Sequence, residues 1–245
     1  MKLLNALAYV AMIATNILAN VLPLNSQTQA AISEKYPVLL TPAGYAFSIW
    51  GLIYVLLGAF VLHDVFARTP RMRRVGWLFV LTCLANIGWI FAWHWDMVVA
   101  SMGFMLILLV TLFVLTARMR RYEPLTVFEQ VSVDVAFSVY FGWISVASLV
   151  NLSVLLYTVN AYESFPGPEG WTAIMLVLAA VAAVSVLGRR GDVAYVLVII
   201  WALVGVALAN PETPLVFGLA WGSAAGLGIR LSYRCIRRAG FLASR

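Results

Sequence analysis

Apolar residues run along this chain in blocks of about 20, broken by short polar clusters. Eight blocks are legible, at approximately 4–24, 43–65, 73–95, 97–117, 131–157, 170–188, 192–210 and 214–235. A helix crosses the hydrocarbon core of a bilayer with roughly 20 mostly apolar residues, so each block predicts a membrane-spanning helix. Helix-entry chemistry stands at several starts. Thr41-Pro42, Thr69-Pro70 and Thr213-Pro214 each offer a capping hydroxyl ahead of a proline at the first helical position. Pro211 follows Asn210, where the seventh block stops. The turn between the third and fourth blocks, around Trp95-Asp96, is very short.

The blocks are not uniformly greasy. Residues three, four and seven apart share a helical face. Phe47, Trp50, Tyr54 and Gly58 obey this spacing in the second block, and Asn86, Trp89 and Trp93 in the third. Tyr140, Trp143, Ala147 and Asn151 obey it in the fifth, and Asn5, Tyr9, Met12, Asn16 and Asn20 in the first. Amides are costly in a membrane unless they find partners, so these stripes should face the bundle interior. The aromatic rings beside them add flat apolar faces with single N–H or O–H groups. Together they predict a cavity suited to a planar hydrophobic ligand. The structural alternatives are plain. Trp77, Trp95 and Trp171 near helix ends suit an interfacial belt, Tyr9 suits ordinary packing, and asparagines can simply join helices.

Composition strengthens the membrane reading. The chain of 245 residues is 63% hydrophobic and 11% charged, whereas soluble domains carry about 25% charged residues. No stretch is left for a soluble catalytic domain. The net charge of +6 changes the picture only through its distribution. Lys2, the arginines at 68–74, those at 118–121, Arg189 and Arg190, and those from Arg230 onward fall in alternate connections. Lys35 lies on the other side with Glu34, Asp96, Glu163, Glu169 and Glu212. The positive-inside rule then predicts both termini in the cytoplasm, with membrane lipid and no nucleic acid as partner. Cys83 lies mid-span and Cys235 at a span end, so a disulfide is not expected. The first block has the basic start of a signal peptide, but its length and its amides predict retention.

The striped segments resemble a known family. GYAFSIWGLIYVLLG (44–58) is similar to the second helix of the tryptophan-rich sensory protein/translocator protein (TspO/MBR) family. LANIGWIFAW (84–93) resembles its third helix, and VYFGWISVASLVN (139–151) its fifth. The likeness covers roughly residues 1–157. There are departures. Thr82 stands near the place of a family glutamine, Val139 replaces a proline, the first loop lacks the usual tryptophan, and three further helices follow. The resemblance implies a five-helix bundle with a pocket for tetrapyrroles such as protoporphyrin or haem. Animal members also bind sterols and synthetic ligands. It implies that the first loop, here SQTQAAISEKYPVLLTP (26–42), folds over that pocket. Carried over by motif, Trp50 and Trp143 match one aromatic wall, and Asn86 and Trp89 match the third-helix wall. Light-dependent porphyrin degradation through pocket tryptophans has been proposed for some bacterial members.

Other chemistry is sparse. His94 could ligate haem iron or sense pH; the simpler reading is an interfacial hydrogen-bonding group, and His63 is weaker still. No metal-site spacing and no nucleotide-binding glycine loop is present. Asp134 raises a proton-coupling role, or else reaches water or Arg121 near the end of the fifth block. Lys2 and Lys35 both lie outside the blocks, which excludes a retinal Schiff base within a helix. Gly218, Gly222 and Gly226 repeat the spacing that lets helices approach closely. Packing within the chain is the favoured reading of that stripe, and a homodimer the alternative. Leu231, Tyr233 and Arg237 formally satisfy a weak sterol-contact pattern.

The sequence therefore predicts an all-α polytopic membrane helix bundle, with a TspO-like five-helix core (1–157) followed by three further helices and a basic tail (158–245). The expected ligand-binding residues are Phe47, Trp50, Tyr54, Asn86, Trp89, Trp93, Tyr140, Trp143, Ala147 and Asn151. The expected role is a binding protein or sensor for a planar hydrophobic molecule, porphyrin or haem by the resemblance, with no cofactor required. Transport of small lipophilic molecules and light-dependent porphyrin degradation are the alternatives.

Overall fold

A computed structural model describes residues 1–22, 24–27, 32, 35–66, 70–119 and 126–243. Among these residues there is no strand. Eight helices follow the eight apolar blocks closely: α1 (Lys2–Val21), α2 (Ile49–Phe66), α3 (Pro70–His94), α4 (Val98–Met119), α5 (Val127–Thr158), α6 (Gly167–Arg190), α7 (Val193–Ala209) and α8 (Pro214–Ala243). Seven are long and apolar enough to cross a membrane. The exception, α7, has 17 residues, at the lower edge of what spans a bilayer.

The ends of the helices follow their local chemistry. Thr126 Oγ1 accepts from the Glu129 amide at 3.0 Å and starts α5. The next residues, Gln130–Val135, are wound as a π-helix that contains Asp134. Asp192 caps α7 by accepting from the Tyr195 amide at 3.2 Å. Gly191, at φ +66, ends α6 in a left-handed conformation that suits glycine. Pro214 opens α8 as expected, with the Phe217 amide bonded to Thr213 O at 2.9 Å. Thr41-Pro42 does not open α2. Those residues form an extended connection, a 3-10 turn over Gly44–Ser48 follows, and the α-helix begins at Ile49. The reason is tertiary, because the connection is tied to α7 (below). Thr69, Glu34 and Arg121 lie outside the described residues.

Helix α1 packs on α2 and α3, α3 on α4, α4 on α5, and α2 on α5. The last three helices attach chiefly through α7, which packs on α5 and holds α6 and α8. Buried side chains form one continuous core running through both groups. The outward faces are apolar: Val55 is 70% exposed, Leu84 56%, Val110 59% and Val181 56%. Such a surface suits lipid, and the chain is an integral membrane helix bundle. Trp77 and Trp95 are exposed, in keeping with an interfacial belt. Trp171 is half-buried and donates to Ala161 O at 3.1 Å.

The glycine stripe of α8 departs from the favoured reading. Val216, Ala220, Ala224 and Leu227 form its buried face. Gly218, Gly222 and Gly226 point outward, and a Cβ added at any of them would meet no heavy atom within 4 Å. Val216, Ala220 and Ala224 recur with the same period as the glycines, and it is that set that takes the interior.

Candidate functional site

The aromatic stripes converge where α2, α3 and α5 meet. Trp50 of α2 stacks on Trp89 of α3, with ring centroids 6.0 Å apart and planes 25° apart. The stack continues on one side to Tyr54 at 5.7 Å and on the other to Trp93 at 6.1 Å. Tyr36 of the first loop closes it, 6.0 Å from Trp93. Trp143 of α5 meets Trp50 edge-on at 6.3 Å and Phe47 at 5.9 Å. Helical spacing places Trp89 and Trp93 one turn apart on one face, so a single ladder of rings can form.

These rings line a cavity of about 50 Å³. Of the ten expected site residues, Phe47, Trp50, Trp89, Trp93, Trp143, Ala147 and Asn151 line it. Tyr54, Asn86 and Tyr140 do not; they form a buried polar chain beneath it. Tyr54 donates to Asn16 Oδ1 at 2.7 Å, Asn16 Nδ2 donates to Asn86 Oδ1 at 2.7 Å, and Asn86 Nδ2 donates to the Tyr140 hydroxyl at 3.4 Å. Asn16 also donates to Met12 O at 2.8 Å. Amides so fully occupied serve to join helices. Tyr9 extends the chain by donating to Tyr54 O at 2.9 Å, which accords with a packing role.

Sequence reasoning missed four lining residues: Pro42, Met105, Val146 and Val150. Val146 and Val150 share the helical face of Trp143 and Ala147, and extending the stripe by three and four residues would have found them. Met105 is one apolar residue in an apolar block and carries no such signal.

Two polar atoms of the lining stand out. Trp89 Nε1 and Trp143 Nε1 are buried and have no hydrogen-bond partner. Buried donors nearly always find an acceptor, and leaving one unmade costs about 1–3 kcal/mol. Asn151 accepts from Ser101 Oγ at 2.9 Å through its oxygen. His94, the last residue of α3, is buried. Its Nδ1 lies 2.8 Å from Ile90 O, which assigns the ring proton to Nδ1, and its Nε2 has no partner. It is not among the lining residues. His63 donates from Nδ1 to Ser132 Oγ at 2.8 Å, at the opposite end of the bundle. Among the described residues no group of three or more His, Cys, Asp or Glu could hold a metal ion. Cys83 and Cys235 are both free.

Tyr36 and Pro42 of the first loop stand against the ring stack and in the cavity wall. Asp96, at φ +55 in the tight turn between α3 and α4, accepts from Lys35, from Tyr36 at 2.9 Å and from Gln27. Burial alone would raise the Asp96 pKa; the hydrogen bonds from Lys35 and Tyr36, the Lys35 charge and the Gln27 bond outweigh it and hold the carboxyl below its usual range. Tyr36 is pushed up to about 12, first by burial and then by its bond to the Asp96 carboxylate and that group's charge.

Comparison with known proteins adds one finding. No curated protein and no solved structure matches the chain. The family model described as TSPO-like protein matches residues 2–233, which include all of α1–α7 and most of α8. With the aromatic cavity already in place, this match shows that the chain belongs to the TSPO-like protein family.

Proposed function

We propose that the protein binds a planar hydrophobic ligand in the cavity between α2, α3 and α5 and acts as a membrane sensor for it, with a metal-free tetrapyrrole as the ligand. Family membership goes with ligand binding or transport in a membrane. The observation that carries the reading is the pair of unpartnered indole N–H groups, Trp89 Nε1 and Trp143 Nε1, in a lining whose other polar side chain is Asn151. A flat ligand gains by stacking on the Trp50–Trp89–Trp93 ladder. Its carbonyl, carboxylate or ring-nitrogen acceptors would relieve the two donors. Among the described residues neither histidine nor cysteine lines the cavity, and Met105 is the one lining side chain of a haem-ligating type; the two indole donors are suited to the acceptors of a metal-free macrocycle.

The cavity is small for such a molecule. Sites for drug-sized ligands measure roughly 300–1,000 Å³, so binding requires the lining or the rim to part. We also propose that both termini are cytoplasmic. Lys2, which bonds to Val65 O at 2.7 Å, lies at the opposite end of the bundle from the Lys35–Asp96 pair, and the basic connections share its side.

The test is a fluorescence titration of detergent-purified protein with protoporphyrin, followed by a flux assay in proteoliposomes. Saturable binding without net flux supports a sensor. Flux would favour a transporter, and absence of binding would remove the tetrapyrrole.

A further inference from the structure

The rim of the cavity is held from one direction. Pro42 and Phe47 both line the cavity, and they belong to the segment 39–48 that joins the first loop to α2. Extended backbone in such a segment must bond its N–H and C=O groups somewhere. The Thr41 and Ala46 amides bond locally, to Val38 O and Ala43 O, but four other groups bond to residues beyond 157. The Leu39 amide donates to the Tyr162 hydroxyl at 3.0 Å, and Asn210 Nδ2 donates to Leu39 O at 2.8 Å. The Ala43 amide donates to Gly205 O at 3.0 Å, and Trp201 Nε1 donates to Ala46 O at 3.1 Å.

The anchors are themselves fixed. Tyr162 is fully buried, and its hydroxyl lies 3.0 Å from Thr172 Oγ1 of α6. The Thr172 hydroxyl is committed to Pro168 O at 2.7 Å, so Tyr162 donates to it and keeps a lone pair for Leu39. Asn210 is buried and also bonds to Val206 O at 2.8 Å. Gly205 permits the close approach. A Cβ there would stand 2.9 Å from Pro42 Cβ and 3.2 Å from Ala46 Cβ. No side chain larger than hydrogen fits without displacing Pro42, which is part of the cavity wall.

We infer that the last three helices are part of the binding apparatus: α7 and the α5–α6 connection set the position of the cavity rim, with Gly205 and Asn210 as positioning residues. The inference rests on the ligand reading above for its consequence, but the rim contacts stand without it. Because the cavity must open for a macrocycle to enter, loosening these anchors changes how fast a ligand enters and leaves more than how tightly it is held.

The experiment compares the full-length parent with Asn210→Ala and, separately, Gly205→Ala. Amide hydrogen exchange is followed in the ligand-free protein, and protoporphyrin association and dissociation are followed by stopped-flow fluorescence. The expected result is exchange about five- to tenfold faster at Leu39 and Ala43, as for loss of one hydrogen bond. Amides of α3 and α6 keep parental rates, which shows that the fold is intact. Both protoporphyrin rates rise together. Parental exchange across 39–46 in both variants would overturn the inference, as would unchanged protoporphyrin rates despite faster exchange. If the parent binds no protoporphyrin, the ligand reading fails, and the exchange data alone decide whether α7 sets the rim.

Discussion

Asn16 of α1 donates to Asn86 of α3 at 2.7 Å, deep inside the bundle and directly beneath the tryptophan ladder. Through Tyr54 and Tyr140 the pair links four helices. The polar chain holds α1, α2, α3 and α5 in the register that brings Trp50, Trp89 and Trp143 together.

Replacing Asn86 by Leu removes a partner from both Asn16 and Tyr140. Hydrogen bonds between membrane helices are worth roughly 0.6–2 kcal/mol, and Asn86→Leu is expected to destabilise the bundle by that order. Asn16→Leu should do the same, and the double variant should lose less than the sum, because the two residues share one bond. Thermal unfolding in detergent measures this. Strict additivity would show that the two amides act independently.

The loop latch has a defined pH window. Asp96 has a lowered pKa when folded, so its contribution is present above the ordinary carboxylate value and is lost only as pH falls through the lower folded value. Tyr36 is raised from 10.0 to about 12, so its contribution is complete below 10 and fades as pH rises toward about 12. Between pH 5 and pH 9, roughly speaking, the loop should stay fastened. Limited proteolysis near Tyr36 checks this, with faster cleavage expected only outside the window. Asp96→Asn should speed cleavage at neutral pH.

The outward glycines of α8 give a stability prediction with a clear sign. A Cβ at Gly222 meets no heavy atom within 4 Å, and Gly222→Leu improves helix propensity. Monomer stability should therefore rise, by about 0.5–1 kcal/mol from the propensity gain. A loss, read from detergent unfolding, would mean that this face packs within the protein.

The eight helices were legible because an apolar block of about 20 residues has few alternatives in a membrane protein. Their faces were partly legible. Tryptophan and asparagine at helical spacing pointed inward in α2, α3 and α5, because an amide in lipid must find a partner. The same logic could not separate wall from foundation. Asn86 and Tyr140 share faces with Trp89 and Trp143, yet depth along the helix puts them below the cavity, and spacing carries no depth. The start of α2 was misplaced because Thr41-Pro42 answers to Gly205 across 163 residues, a tertiary demand that no local capping rule expresses. His94 looked interfacial by position and is buried, and Asn25 donates to its carbonyl oxygen at 2.9 Å. The glycine stripe of α8 was ambiguous for a simpler reason: its period fits an inner and an outer face equally well.

The most direct test of the account is the affinity of purified protein for protoporphyrin, compared with Trp89→Phe and Trp143→Phe. Each change keeps an aromatic ring and removes one unpartnered N–H. If those donors meet the ligand, each variant binds about tenfold more weakly, the equivalent of one hydrogen bond near 1.4 kcal/mol, and Trp77→Phe at the lipid-facing surface binds as the parent does. Parental affinity in both pocket variants would contradict the claim that these indoles receive the ligand.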